Sequence, residues 1–175
     1  MLGLLIISAI LAIVFTMTWW MPRAWYRTWL YPGGRPRAFT GRINSATAWL
    51  SSIGIAPSFM VSLETKGRRT GRTSRVPLVV AQLGADRYLV SMLGENVDWL
   101  RNARSSGGRV VLRHRIVEHV RLEEVPASER APILKAYLQR APGARPHFDI
   151  DQHASVEQFA LIAPRYPVLR IRPIS

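Results

Sequence analysis

The chain has no cysteine among its 175 residues. That removes disulfides, thiolate metal sites and cysteine nucleophiles. Acidic residues are scarce as well, 11 against 24 lysines and arginines, and none precedes Glu64. Lysine is confined to positions 66 and 135, so nearly all of the positive charge is arginine. Several catalytic signatures are missing. There is no Gly-x-Ser-x-Gly elbow and no His-Glu-x-x-His. Nor is there a Walker loop: three residues separate Gly67 from Gly71, and Arg72 stands where that loop requires lysine. A hydrolase is poorly served by this inventory. A redox enzyme is not, because there the cofactor carries the chemistry and the protein supplies binding, orientation and water exclusion.

What is present is charge and apolar mass. A net charge of +13 attracts anions of several kinds: nucleic acid, acidic lipid or an acidic cofactor. A hydrophobic content of 48% is ample for one core, and the length suits one domain with accessories. No internal repeat is visible.

The charge concentrates in one stretch. An apolar run from Phe59 to Leu63 leads into Lys66-Gly-Arg-Arg-Thr-Gly-Arg72, and a second from Val76 to Leu83 leads out. Two β-type runs joined by a glycine-containing turn read as a hairpin. Glycines let backbone N–H groups converge on an anion, and lysine and arginine add charge and forked donors. The turn reads equally as an anion grip or as a plain solvated basic turn.

Met1 to Met21 carries no charged side chain and ends in an aromatic group at Trp19-Trp20. A run of about 20 apolar residues spans a bilayer core, and tryptophan suits its interface. Arg23, Arg27, Arg35, Arg37 and Arg42 follow. Such a positive flank stays cytoplasmic, which places the globular part inside and makes this a single-pass cell-membrane protein. A cleavable signal peptide fits less well, since neither a basic n-region nor a small-residue cleavage site is clear. Residues 1–22 are thus expected as a membrane anchor and 23–57 as a basic linker with an amphipathic helix over Ile43 to Ile53. Residues 58–175 form the globular domain.

Within that domain, strands are expected over Ser58 to Glu64, Thr73 to Leu83, Arg87 to Leu93, Arg109 to His114, Ile116 to Val125 and Tyr166 to Ile171. Pro77 places the second at an edge or a bulge. Helices are expected from about Val97 to Ser105, Pro126 to Arg140, and Ser155 to about Ala163. Five or six antiparallel strands with peripheral helices make an α+β barrel rather than a βαβ fold. His147, Asp149, Asp151 and His153 alternate and would share a face if extended, but such a run is more often a solvated loop, and no metal site is expected.

Lys66-Gly-Arg-Arg-Thr-Gly-Arg72, then Arg75 and Pro77-Leu78, resembles the signature of the deazaflavin-dependent nitroreductase family. Gly94 followed by Trp99-Leu-Arg-Asn102-Ala103 resembles that family's downstream Trp-x-x-Asn-Leu motif. The resemblance covers roughly Ser58 to Val125. It implies a split antiparallel β-barrel that binds coenzyme F420, a hydride carrier with a phosphate and a polyglutamate tail. By the same resemblance Lys66, Arg68, Thr70, Arg72 and Arg75 would hold the tail, with Gly67 and Gly71 allowing close backbone approach. Pro77, Leu78 and Val79 would lie against the ring, Ser91, Met92 and Leu93 along its edge, and Trp99 and Asn102 on the helix side. A bilayer anchor beside such a site points to a quinone or another lipophilic enone or nitro acceptor. Tyr137, Phe148 and Tyr166 are candidates to line the acceptor side or simply to fill the core, and Tyr137 or water to supply a proton.

Three alternatives stay open. A related split barrel would hold FMN. A non-catalytic carrier would bind cofactor or lipid. A basic module would bind anionic lipid or nucleic acid, although the turn lacks the interleaved aromatics of a specific nucleic-acid site. The oligomeric state is open, with a homodimer among the options.

Overall fold

The computed structural model describes residues 59–174. The expected anchor, basic linker and amphipathic helix all lie outside the described residues. Among the described residues no helix is long and apolar enough to cross a membrane.

Six strands close into an antiparallel barrel. They are β1 (Met60–Lys66), β2 (Thr73–Leu83), β3 (Asp86–Val90), β4 (Arg109–His114), β5 (Ile116–Glu124) and β6 (Val168–Pro173). Around the barrel they run β1-β2-β3-β6-β5-β4, with β4 returning to β1. Among the described residues three α-helices accompany them: α1 (Asp98–Ser105), α2 (Arg130–Arg140) and α3 (Val156–Ile162).

The period-2 alternation of the strands builds two cores. Leu63, Val80, Leu89, Leu112, Val120 and Leu169 point inward and pack with Leu100 and Ala103 of α1. Ala81, Tyr88, Val90 and Val168 point outward and are covered by α2 and α3 through Leu134, Leu138 and Phe159. This is why β2 and β3 are apolar on both faces while β5 is polar on one. A capping box opens α3: the Ser155 side chain accepts from the Gln158 N–H, and the Gln158 side chain accepts from the Ser155 N–H.

Several boundaries depart from expectation: β1 runs Met60–Lys66 and not Ser58 to Glu64, and β6 ends at Pro173 and not Ile171. The second helix begins with a 3-10 turn over Ala127–Glu129 before α2 proper. The last strand begins at Val168, not Tyr166. The third strand ends at Val90, so Ser91, Met92 and Leu93 form a turn. The Ser91 N–H still donates to Pro167 O in register with β6, and the Gly94 N–H donates back to Ser91 O, closing the turn that takes the chain out of the sheet.

Candidate functional site

Pro77 determines where the barrel wall opens. The Val80 N–H donates to Phe59 O, so the even-numbered amides of β2 face β1 and the odd-numbered ones face β3. The β2–β3 register runs from Leu83 with Asp86 to Val80 with Leu89. Continued three residues, it would set Pro77 against Met92 and require an N–H that proline lacks. The ladder stops short of that position, and the chain after Val90 peels away from β2. The edge placement expected for Pro77 therefore holds on the β3 side, while on the β1 side it lies opposite Ser62.

The seam left between β2 and the departing chain has half-buried apolar rims. Val79 and Met92 belong to the outer, helix-covered side. Leu78, Leu93 and Trp99 belong to the barrel side. Pro77 shares the outward face with Val79, so Pro77, Leu78 and Val79 do not form one surface. Ser91 is buried and donates to Gly94 O at 2.6 Å, which gives its hydroxyl a structural partner. One residue of this region escaped the sequence reading. Ser62 is fully buried beside Pro77, and its Oγ has no hydrogen-bond partner among the described residues. A lone hydroxyl in an apolar strand is the signal that would have found it.

At the end of the seam the basic turn is built on its glycines. The Gly67 N–H donates to Arg72 O and the Gly71 N–H to Gly67 O, each at 2.8 Å. A Cβ on Gly67 would lie 2.9 Å from Thr70 Oγ1 and 3.2 Å from Arg72 O, so a larger residue there would push the Thr70 hydroxyl aside and crowd the Arg72 carbonyl. Gly71 takes φ of +65°, and the Thr70 hydroxyl accepts from the Arg72 N–H at 3.3 Å.

The cations expected to grip one ligand fall into two sets. Arg68 is turned inward: its N–H and its Nη1 both donate to Asn102 Oδ1, at 3.2 and 3.1 Å, and Nη1 also reaches Asp98 Oδ1 at 3.2 Å. This explains the buried amide on α1. Arg75 donates to Glu64 Oε2 at 3.0 Å, and Arg113 donates to the same oxygen at 2.9 Å. Burial alone would raise the Glu64 carboxyl, but the bonds and charges of Arg113 and Arg75 outweigh it and hold the group below the usual carboxylate range. Lys66, Arg69 and Arg72 are exposed, and their side chains have no hydrogen-bond or ion-pair partner among the described residues. The backbone N–H groups of Arg69 and Thr70 likewise make no hydrogen bond within the described residues. Free charge and free amides thus coincide at the tip of the turn.

The aromatic group lies elsewhere. Phe148 stacks on Tyr166 at 4.1 Å between centroids and meets Tyr137 at 6.1 Å. All three are buried in the helix-covered core, and the Tyr166 hydroxyl donates to His147 O at 3.0 Å. The acidic–histidine run does not converge. Asp149 pairs with Arg165 at 3.2 Å, and Asp151 accepts from the His153 N–H at 2.8 Å. Among the described residues no group of three or more histidines and carboxylates is placed to hold a metal ion.

No family model matches the chain, and no curated protein matches it. Solved structures do. A protein of unknown function from Agrobacterium tumefaciens aligns at a TM-score of 0.51 and 12% identity, covering 75% of this chain and 55% of that one. An F420-H2 dependent reductase, FDR-A, aligns at a TM-score of 0.46 and 17% identity, over 66% of this chain and 95% of the other. A heme binding protein from Mycobacterium smegmatis aligns at 0.46 and 14%, over 73% of this chain and 51% of that one. This chain spans about half the length of the Agrobacterium and Mycobacterium proteins. At these identities the likeness is one of fold alone, the six-stranded split-barrel type.

Proposed function

We propose that this protein is a membrane-anchored reductase that binds a deazaflavin cofactor, coenzyme F420, and delivers its hydride to a lipophilic quinone, enone or nitro acceptor. One observation carries the reading: an apolar seam opened by Pro77 ends at a turn whose free cations and free amides sit together. A ligand matched to that geometry has a flat apolar part and an anionic tail. The sequence signature over Lys66 to Leu78 and the Trp99-x-x-Asn102 block points to the same ligand class. When bound, the reduced cofactor would supply the hydride.

The protein's residues would then have separate tasks. Lys66, Arg69 and Arg72 hold the tail phosphate as charge-assisted donors. Arg68, through Asn102 and Asp98, fixes the turn against α1. Arg75 and Arg113, on Glu64, stiffen the wall behind it. Pro77, Val79 and Met92, with Leu78, Leu93 and Trp99 on the opposite rim, exclude water from the ring. The Ser62 hydroxyl is a buried hydrogen-bond donor beside them. Residues 1–22 would keep the seam close to a bilayer where a lipid-soluble acceptor is concentrated.

FMN offers the same kinds of group with a shorter anionic end, so the test must separate the two. The full chain in detergent would be titrated with oxidised F420 by fluorescence at moderate salt, with FMN as competitor. Saturable binding that FMN does not displace, weakened about tenfold by Arg72→Ala, is expected. Absence of binding, or equal displacement by any polyanion, would refute the assignment.

A further inference from the structure

The two ends of the barrel differ in kind. The basic turn lies at one end, with the start of β4 and the end of β5. The start of β1, the β2–β3 turn, the β4–β5 turn and the end of β6 form the other. Six large hydrophobic side chains are exposed among the described residues, and four of them, Leu83, Ile116, Val117 and Ile174, stand on this second rim. Scattered singly, such residues need no explanation; gathered at one end, they do.

The strand registers join them. Leu83 lies opposite Asp86, and Asp86 accepts from Arg172, two residues before Ile174. The Ile174 N–H donates to His119 O at 3.1 Å, so Ile174 and Val117 are diagonal neighbours across β5 and β6. Both are on the outer face, because Val120, Leu122, Leu169 and Ile171 point into the barrel. Ile116 is 65% exposed at the tip of the β4–β5 turn.

The acids of this rim are neutralised. Arg87 and Glu118, on strands separated by β6, meet in a forked pair at 3.1 and 2.6 Å. Asp86 takes Arg170 and Arg172. Two cations are left over. Arg115, in the β4–β5 turn, is exposed and has no ion pair among the described residues. Its φ of +60° carries a cost that glycine would avoid, so the turn alone does not select arginine there. Arg140 lies over the Phe59 ring at 5.4 Å and likewise has no carboxylate partner among the described residues. Aliphatic groups with surplus arginine and no free acid suit the boundary of an anionic bilayer.

The path of the chain favours that occupant over a second copy. Phe59 and Met60 bring the chain into the barrel at this rim. The residues before them include the uncharged run Met1 to Met21, five arginines and no acidic residue. A domain tethered from this end presents this end to the surface.

We propose that the rim of Leu83, Ile116, Val117 and Ile174, with Arg115 and Arg140, seats the barrel on an anionic lipid bilayer. The aliphatics enter the headgroup–acyl boundary and the guanidiniums meet lipid phosphates. The choice of a bilayer rests on the membrane anchor proposed above; the rim itself stands on its exposed aliphatics and unpaired arginines. The basic turn then points away from the membrane, so lipid does not compete for Lys66, Arg69 and Arg72.

The chain has no cysteine, so one introduced thiol can be labelled selectively. Val117→Cys on the rim, Leu161→Cys on α3 and Arg69→Cys on the basic turn each receive an environment-sensitive fluorophore. The full-length variants are reconstituted into vesicles of phosphatidylcholine and phosphatidylglycerol, and Ile174→Cys repeats the rim measurement on β6. The quenchers are a lipid-borne nitroxide at the headgroup–acyl boundary and aqueous iodide. The rim labels are expected to lose most of their emission to the nitroxide and little to iodide; the labels at 161 and 69 should do the reverse. Nitroxide quenching at 69 in place of 117 overturns the seating, because the barrel then stands the other way up. Rim labels shielded from both quenchers overturn it in favour of a protein cover. Extraction with alkaline carbonate reads the anchor separately. A protein retained through carbonate whose rim labels stay in water overturns the seating and leaves the anchor standing. A protein that carbonate strips, with its rim labels quenched by nitroxide beforehand, upholds the seating and removes the anchor. A protein that does not float with the vesicles overturns both.

Discussion

Arg68 places both its backbone N–H and its guanidinium on one acceptor, Asn102 Oδ1, across 34 residues of sequence. The basic turn is therefore held by the helix, not merely by its glycines. Asn102 is buried, so removing its amide strands a main-chain donor. Asn102→Ala is expected to cost about 1–3 kcal/mol of stability. It should also weaken anion affinity at the turn although no charge is lost. Urea unfolding and ligand titration of the same variant check both. Unchanged affinity in a destabilised Asn102→Ala protein would separate the brace from the binding tip.

Glu64 makes stability depend on acid. Its carboxyl is held below the ordinary value by Arg113 and Arg75 against the opposing effect of burial. The unfolded chain therefore takes up this proton at higher pH than the folded one. The contribution is fully present above the unfolded pKa of about 4.3 and disappears as pH falls through the lower folded value. Glu64→Gln should lower stability by about 1 kcal/mol at pH 7. The difference between variant and wild type should shrink steadily below about pH 4. Melting temperatures across that window decide it; a difference independent of pH would remove the ionised triad as the cause.

Arg130 shows how a polar helix position can belong to the core. The residue is 7% exposed, and its Nε donates to Val125 O at 2.8 Å, joining the start of α2 to the end of β5. Its other nitrogens face Ala163 O, Tyr166 O and Glu124. Arg130→Met keeps the stem but leaves those carbonyls unsatisfied, and about 2–4 kcal/mol should be lost. Arg140→Met, on the exposed end of the same helix, should change stability by less than about 0.5 kcal/mol. Denaturant midpoints of the two variants make the comparison.

Much of the architecture was open to reading because punctuation and pattern agreed. Strand β2 is a long β-type run bounded by glycine turns, so Thr73–Leu83 is legible from end to end. Pro77 announced an open edge, and the edge is where the seam lies. The turn after Val90 was not legible, because an apolar Ser91-Met92-Leu93 looks like more strand. What ends β3 is the turn closed by the Gly94 N–H on Ser91 O, at the point where Pro77 of the neighbouring strand has no N–H to extend the ladder. The same blindness applies to the cations. Arg68 and Arg72 are indistinguishable in composition, and only the fold reveals that one faces Asn102 and the other faces solvent. Arg109 and Arg121 were likewise unreadable as a pair: they are 12 residues apart in the chain and stand opposite each other only through the β4–β5 register.

Two left-handed positions give opposite predictions. Arg115, between β4 and β5, has φ of +60° without being glycine. An L side chain there costs about 1–2 kcal/mol, and glycine does not incur it. Arg115→Gly should therefore stabilise the fold by about 0.5–1 kcal/mol after glycine's extra unfolded-state entropy is subtracted. Gly108, at φ of +80°, is the reverse case, because a Cβ would collide with Leu122 O at 2.4 Å. The atom it meets is backbone within the β4–β5 ladder and cannot swing aside. Gly108→Ala should cost about 3 kcal/mol or more. Gly71, at φ of +65° with open space around it, should lose only the conformational part on mutation to alanine, about 1 kcal/mol. Equilibrium unfolding of the three variants tests the order Arg115→Gly above wild type, then Gly71→Ala, then Gly108→Ala. Equal losses at Gly71 and Gly108 would show that the collision is relieved by movement of β5 and that the close approach of Gly108 to Leu122 O is not rigid.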